Sequence, residues 1–327
     1  MQNLGTLDDQ YTILSLKYNT GSRIGYHARQ NQNQNDYLIE LPINNNINVF
    51  PANEINILNI LQNIDNPNIL HYIGNGNGPL VLNNQPPINK PYLIFEYVPK
   101  NILFDYIFAG AFTEKHSKLI FKKILNGIRS IHNAGICHRD IKPGNVLLDE
   151  NYNPKIYDFS FACLNANNLQ QFVGTINYTA PEILLHRPYD GKKCDIFSLG
   201  QLLFFLVTQT FGFQSASKVD HHYTLIIKKN YAEYWNIPAF AQLNLSDNFK
   251  NLFVRMVAYN PNERPTIEQI LFDVWMEEIN NLNAEQIDNL ENEVRNEFHN
   301  REAQIQANAN QNYVRNKIRI ANRNKNK

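Results

Sequence analysis

Cysteine is scarce. Cys137, Cys163 and Cys194 are the three in 327 residues, and none stands in a C-x-x-C pair. An odd, sparse set argues against a disulfide framework and suits a reducing compartment. Long apolar runs are missing too. The longest, Leu202 to Val207, falls far short of the ~20 residues that span a bilayer. Met1-Gln2-Asn3-Leu4 begins no apolar signal segment. The expectation is a soluble, cytoplasmic chain. Neither sign of charge prevails, with 30 Lys+Arg against 30 Asp+Glu, so net charge points to no nucleic-acid partner. Two local absences matter more. No lysine occurs between Lys17 and Lys90, an interval whose fixed positive charges are Arg23 and Arg29. No serine, threonine or tyrosine occurs between Phe161 and Val173, so that span offers no hydroxyl to phosphorylate.

What is present is concentrated in one stretch. His138-Arg139-Asp140-Ile141-Lys142-Pro143-Gly144-Asn145 crowds charged and amide side chains into a turn-prone segment. The apolar run Val146-Leu147-Leu148 follows, and then Asp158-Phe159-Ser160. H-R-D-x-x-x-x-N followed by D-F-x closely resembles the catalytic core of the eukaryotic protein kinases. Lys142, two residues after Asp140, resembles the mark of the serine/threonine class. Ala180-Pro181-Glu182 matches the family's A-P-E, Asp195 its catalytic-loop brace, and Arg264 the expected partner of Glu182. The resemblance covers roughly residues 8–279. It implies an α+β bilobal fold, with a β-rich small lobe over about 8–97 and a mainly helical large lobe over about 98–279.

The local patterns fill in that frame. Residues 11–42 read as strands, with a turn at Asn19–Ser22. Gly21 and Gly25 stand where the family has its glycine-rich phosphate loop, although G-x-G-x-x-G-x-V is not satisfied and a plain hairpin would look the same. In the next strand Glu40 occupies the position of the family's lysine and Leu38 that of its alanine. Glu54, Leu58 and Leu61 recur at helical spacing and predict a helix over 52–62, with Glu54 as the helix-C glutamate. Two carboxylates would then meet where a lysine–glutamate pair belongs, and one of them can respond by holding a proton. Pro91–Val98 resembles the strand that leads into the hinge between lobes. Apolar spacing predicts a helix over 117–134. Thr266 reads as a helix cap. Ile287, Leu290, Val294 and Phe298 form a stripe that predicts a helix over 284–304, capped by Asn283. It would pack on the large lobe or bind a partner helix. From Tyr313 to Lys327 there are six basic residues and no acidic one.

The resemblance assigns roles. Asp140 would accept or orient the proton of a substrate hydroxyl. Lys142 would neutralise charge on the transferring phosphate, and Thr175 would fix the substrate-side loop. Asn145 and Asp158 offer hard oxygens to Mg²⁺. Gly21, Gly25, Leu38, Glu96, Val98, Leu147 and Asp158 would contact ATP. The substrate would be a protein with a serine or threonine acceptor. Three departures weigh against efficient transfer: Glu40 reverses a charge, Leu38 adds bulk toward the adenine, and Ser160 restricts the backbone beside Asp158. Two functions follow. One is a protein serine/threonine kinase, with reduced activity; the other is a pseudokinase that binds or scaffolds. A small-molecule kinase is disfavoured by the Thr175–Glu182 segment. Lys17, Arg23 or Arg29 could restore the missing charge, and the sequence does not say which points inward.

Overall fold

The computed structural model describes residues 4–20, 23–44, 49–83, 85–165 and 167–325, with side chains to residue 306. Gly21 and Ser22 lie outside the described residues, as does most of the Asn44–Asn48 cluster.

Six strands close a small barrel: β1 Gly5–Leu7, β2 Tyr11–Asn19, β3 Arg23–Gln30, β4 Asp36–Pro42, β5 Tyr72–Leu82 and β6 Ile88–Glu96. The order is β1-β2-β3-β4-β6-β5, and β1 closes the ring by pairing with both β2 and β5. The fold therefore begins before residue 8, the start expected from the sequence. Three residues are too short to show a period, so β1 carries no sequence signal. Leu7, Ile13, Ala28, Ile39 and Leu41 fill the barrel. The opposite face of the β3–β4 pair is then the one that meets the large lobe. Helix α1, Ala52–Leu61, lies between β4 and β5 and buries Glu54, Ile57, Leu58 and Leu61.

The large lobe is helical. Helices α2 Leu103–Ala109 and α3 Glu114–Asn133 come first. Thr113 caps α3 by accepting from the His116 amide, which satisfies a donor that the helix start leaves orphaned. Apolar residues of α3 from Leu119 to Ile131 are buried. Short strands follow: β7 Ile136–Cys137, β8 Val146–Leu148, β9 Pro154–Ile156 and β10 Cys163–Leu164. β8 pairs with β9, and β10 with β7. The remaining helices are α4 Pro181–Leu184, α5 Gly191–Thr208, α6 His221–Ile227, α7 Tyr231–Trp235, α8 Pro238–Ala241, α9 Asp247–Met256, α10 Ile267–Leu271, α11 Glu277–Asn280 and α12 Ala284–Lys325. α5 is buried all round, from Cys194 to Val207, which explains its continuous apolar run. Thr266 and Gln269 form a capping box at α10.

The last helix is longer than its stripe predicts, running to Lys325 rather than ending near 304. Asn283 accepts from the Gln286 amide at its start. Its first half belongs to the large lobe. Phe298 is buried and stacks on Tyr152. Arg301 donates to the carbonyls of Tyr106, Gly110 and Ala111 at 2.5–3.0 Å. Those carbonyls belong to the end of α2 and the residues after it, so Arg301 serves as that helix's C-terminal cap. No helix among the described residues is long and apolar enough to cross a membrane.

Candidate active site

The stretch His138–Asn145 leaves β7 and is held from beneath. Asp195, fully buried on α5, accepts from the amides of His138 and Arg139 at 2.8 Å each, and lies 2.9 Å from His132 Nε2. Arg139 adopts φ 66°. That left-handed conformation is unusual for a non-glycine residue and is offset by the two bonds from Asp195. His138 Nε2 lies 3.0 Å from the carbonyl of Tyr157, which ties this loop to the residue before Asp158.

Four expected residues converge. Asp140 Oδ1 accepts from the Thr175 hydroxyl at 2.8 Å. Its Oδ2 accepts from Lys142 Nζ at 2.7 Å and from Asn145 Nδ2 at 3.0 Å. Lys142 also donates to Thr175 Oγ1 at 2.8 Å, closing a ring of three side chains. A short helical turn, Pro143–Asn145, brings Asn145 back beneath Asp140. Gly174 sits at φ 101°, and a Cβ there would lie 2.8 Å from the Arg139 carbonyl. Only glycine lets the Thr175 strand pass so close. Asp140 therefore holds its carboxylate between a cation and a hydroxyl, which suits a group that must orient an incoming hydroxyl proton.

Asp158 takes φ 64°. Its Oδ1 accepts from the hydroxyl of Ser160 at 2.7 Å. Ser160, the departure from glycine, thus restrains this carboxylate with a side-chain bond that glycine could not make. A carboxylate from Asp158 and an amide oxygen from Asn145 are the hard donors that a phosphate-borne Mg²⁺ takes, with phosphates and water completing its shell. Among the described residues no group of three or more His, Cys, Asp or Glu forms a complete metal cage. Such a cage is not what nucleotide-bound magnesium uses.

The small lobe answers which basic residue points inward. Lys17 turns to the linker, donating to the Pro99 carbonyl at 2.7 Å. Arg29 pairs with Asp36. Arg23 points into the cleft. Its Nη1 lies 3.3 Å from Glu40 Oε1 and its Nη2 lies 2.6 Å from Glu54 Oε2. Strand register explains this: Gly25 opposes Glu40 and Arg23 opposes Pro42, so Arg23 and Glu40 project from one face. The guanidinium bridges the two carboxylates that the sequence places opposite each other. Burial pushes Glu40 up to about 8; Arg23 opposes that rise, while Asp158 and Glu54 add to it. Burial works against charge on Arg23, but Glu40 and then Glu54 outweigh it and hold the guanidinium firmly protonated.

Two residues on that face were not singled out by sequence reasoning. Tyr18, opposite Gly25, lays its ring over the glycine, where a Cβ would fall 2.4 Å from the ring. Gly25 thus gives the side that a Cβ would occupy to an aromatic ring. Tyr18 also packs against Tyr157, at 5.7 Å between ring centroids, and its buried hydroxyl finds no hydrogen-bond partner among the described residues. His27 stacks on Tyr97 of the linker at 3.9 Å. The register opposite Gly25 was the signal for Tyr18, and it is visible only once the β2–β3 pairing is known.

The expected adenine-side residues Leu38, Val98 and Leu147 are all buried. Leu38, Phe95, Val98 and Leu147 are buried in one apolar cluster. Leu38 sits directly opposite Phe95. The Glu96 carboxylate turns away, accepting from Lys155 and from the His71 amide at 2.8 Å each. Gly21 lies outside the described residues. Farther off, Arg264 grips Glu182 with two bonds at 2.6 and 2.8 Å. Burial raises Glu182, the Arg264 bonds outweigh it, and the carboxyl ends below its ordinary range.

A strand-built small lobe and a helical large lobe, joined by a linker beside a partly buried Asp–Lys–Thr ring, define a phosphotransferase-type architecture. A family model described as a protein kinase domain matches residues 39–276. The chain belongs to the protein kinase family. The matched region starts after β3, so the strands that carry Tyr18 and Arg23 fall outside it. Among curated proteins, sperm motility kinase 3A of Mus musculus is 30% identical over 227 residues, 68% of this chain and 42% of that protein. CBL-interacting protein kinase 26 of Oryza sativa subsp. japonica is 29% identical over 295 residues, 85% of this chain and 56% of its own length. CBL-interacting serine/threonine-protein kinase 14 of Arabidopsis thaliana is 33% identical over 195 residues, 58% of this chain and 42% of the relative. The matches span roughly half or less of these relatives.

Proposed function

We propose that the chain is an ATP-dependent protein serine/threonine kinase in which Arg23 stands in for the strand lysine. The observation that carries this reading is the bridge from Arg23 to both Glu40 and Glu54. It places a fixed cation on the cleft face of the roof, beside the residue that normally supplies it. Phosphoryl transfer asks mainly for positioning and for charge opposite the phosphates. Asp140 would orient the acceptor hydroxyl, and Lys142 would face the transferring group. Asn145 and Asp158 would hold Mg²⁺, which would neutralise the polyphosphate. Leu38, Val98 and Leu147 would enclose the adenine, with backbone groups near Glu96 and Val98 on its edge. Thr175 would keep the substrate-side loop against Asp140. The serine/threonine-protein kinase among the relatives supports the acceptor class that Lys142 suggests.

A second reading, a pseudokinase that binds or scaffolds, is favoured by one observation. Tyr18 and Leu38 put bulk on the cleft face of the roof, and Glu40 adds a carboxyl there. Phosphotransfer to a generic protein acceptor with ATP and Mg²⁺ separates the two. Transfer by the parent that vanishes in Asp140→Asn and Asp158→Asn supports the enzyme. Absence of both transfer and a nucleotide-dependent thermal shift supports the scaffold.

A further inference from the structure

We infer that Cys137 and Cys163 form a reversible dithiol–disulfide site that ties the segment after Asp158 to the strand leading into His138–Asn145, with a hydroperoxide as oxidant and small thiols as reductant. The inference does not depend on whether the cleft transfers phosphate.

Position carries it. Cys163 on β10 lies directly opposite Cys137 on β7 in an antiparallel pair. Opposed residues in such a pair have Cα atoms ~4.5–5.5 Å apart, inside the range a disulfide spans. The two sulfurs are already 3.2 Å apart. Gly191 seats the inner thiol, because a Cβ there would lie 2.3 Å from Cys137 Sγ. Cys137 is fully buried, whereas Cys163 is half-buried, so a small oxidant meets Cys163 first. The bond shared with Cys137 and the Arg139 guanidinium lower the Cys163 thiol against its burial, and the same bond raises that of Cys137. A neighbouring guanidinium favours the reactive thiolate form of such a thiol. The third cysteine, Cys194, is buried and donates to Glu182.

The sequence supplies a second argument. From Phe161 to Val173 there is no hydroxyl, so Cys163 is the nucleophilic side chain that this span offers to covalent modification. A Cys137–Cys163 bond would also close a loop around Asp140, Asn145 and Asp158.

The chemistry balances. The Cys163 thiolate attacks the hydroperoxide, forming S–O and breaking O–O. The departing oxygen takes a proton and leaves as water or an alcohol. The sulfur of Cys137, surrendering its proton, then attacks Cys163. The S–S bond forms, S–O breaks, and hydroxide leaves as water with that proton. The dithiol loses two electrons and the hydroperoxide gains them. Two small thiols reverse the change by exchange.

The test treats the reduced full-length chain with hydrogen peroxide, then alkylates free thiols and maps the peptides. The expected result is loss of two thiols of three, a peptide joining Cys137 to Cys163, an alkylated Cys194, and recovery with a small thiol. Cys194→Ser should behave as the parent, and Cys163→Ser should keep both remaining thiols. Cys137→Ala should halt at a sulfenic acid that a dimedone probe captures. Amide exchange at Cys163 and Leu164 should slow at least roughly tenfold in the oxidised parent. Three free thiols after peroxide, a bridge to Cys194, over-oxidation of Cys163 with Cys137 still free, or unchanged exchange in the bridged form would each overturn the inference.

Discussion

Replacing Glu40 by glutamine should remove a pH dependence from the stability of the whole domain. Glu40 is 2% exposed, and its carboxyl is raised from 4.5 to about 8. The sign follows from proton binding. Between those two values the unfolded chain has ionised Glu40 while the folded chain still holds its proton. Stability therefore falls as pH rises through that window, at about 1.4 kcal/mol per pH unit for one group. Across the full window the loss amounts to about 5 kcal/mol, an upper figure because relaxation and water entry soften burial. Glutamine fills the same volume, keeps an acceptor for Arg23 and cannot ionise. Urea unfolding of both proteins at pH 5.5, 6.5 and 7.5 reads the effect. The parent should lose about 2–3 kcal/mol relative to the variant between the ends of that series. Cys163, lowered from its ordinary value, gains stability at higher pH, but it is common to both proteins and cancels. Parallel pH profiles would refute the reasoning, because they would mean Glu40 is ionised at pH 5.5 and the Arg23 bridge dominates its burial.

Three further outcomes follow from the same contacts. Tyr18→Phe removes a buried hydroxyl that has no partner among the described residues, so stability should rise by about 1 kcal/mol; a lower denaturation midpoint would count against it. Arg264→Leu strands the buried Glu182 carboxylate and should cost about 3–5 kcal/mol near neutral pH. Glu182 is held below its ordinary value, so the pair's contribution is present above about pH 4.5 and is lost as pH falls through the lowered value, and the variant's deficit should shrink in acid. Arg301→Met, by uncapping α2, should lower the melting temperature and raise proteolysis between Tyr106 and Ala111; an unchanged cleavage rate there would show that α12 is not needed to hold α2.

Much of this was legible in the chain before any coordinates. Ordered, fixed-distance signals survive folding, because each residue answers to a local constraint. Asp140, Lys142, Asn145 and Thr175, each named from the family resemblance, lie in one hydrogen-bonded group. The Glu182–Arg264 pair and the Asp195 brace also stand where expected. The Glu40–Glu54 meeting was readable as a problem, and a proton on one of the two as one answer to it; the structure puts the raised carboxyl at Glu40. The other answer, Arg23, was among three candidates that sequence could not rank. Which face a strand residue takes depends on register, and β2–β3 pairing contains bulges that a period-2 reading does not see. Tyr18 escaped for the same reason. The strand Gly5–Leu7 is too short to announce itself, yet it closes the barrel. α12 runs on to Lys325, past the apolar stripe that announced it.

Arg23 is where the account is most exposed. The direct measurement is the single-turnover rate of phosphoryl transfer, at saturating ATP and Mg²⁺, for the parent and for Arg23→Gln. Removing one positive contact to developing phosphate charge should slow transfer by roughly 10²–10³, with the variant still folded by near-ultraviolet circular dichroism. An Arg23→Gln protein that transfers phosphate at the parent's rate would contradict the claim that this residue supplies the charge Glu40 displaced.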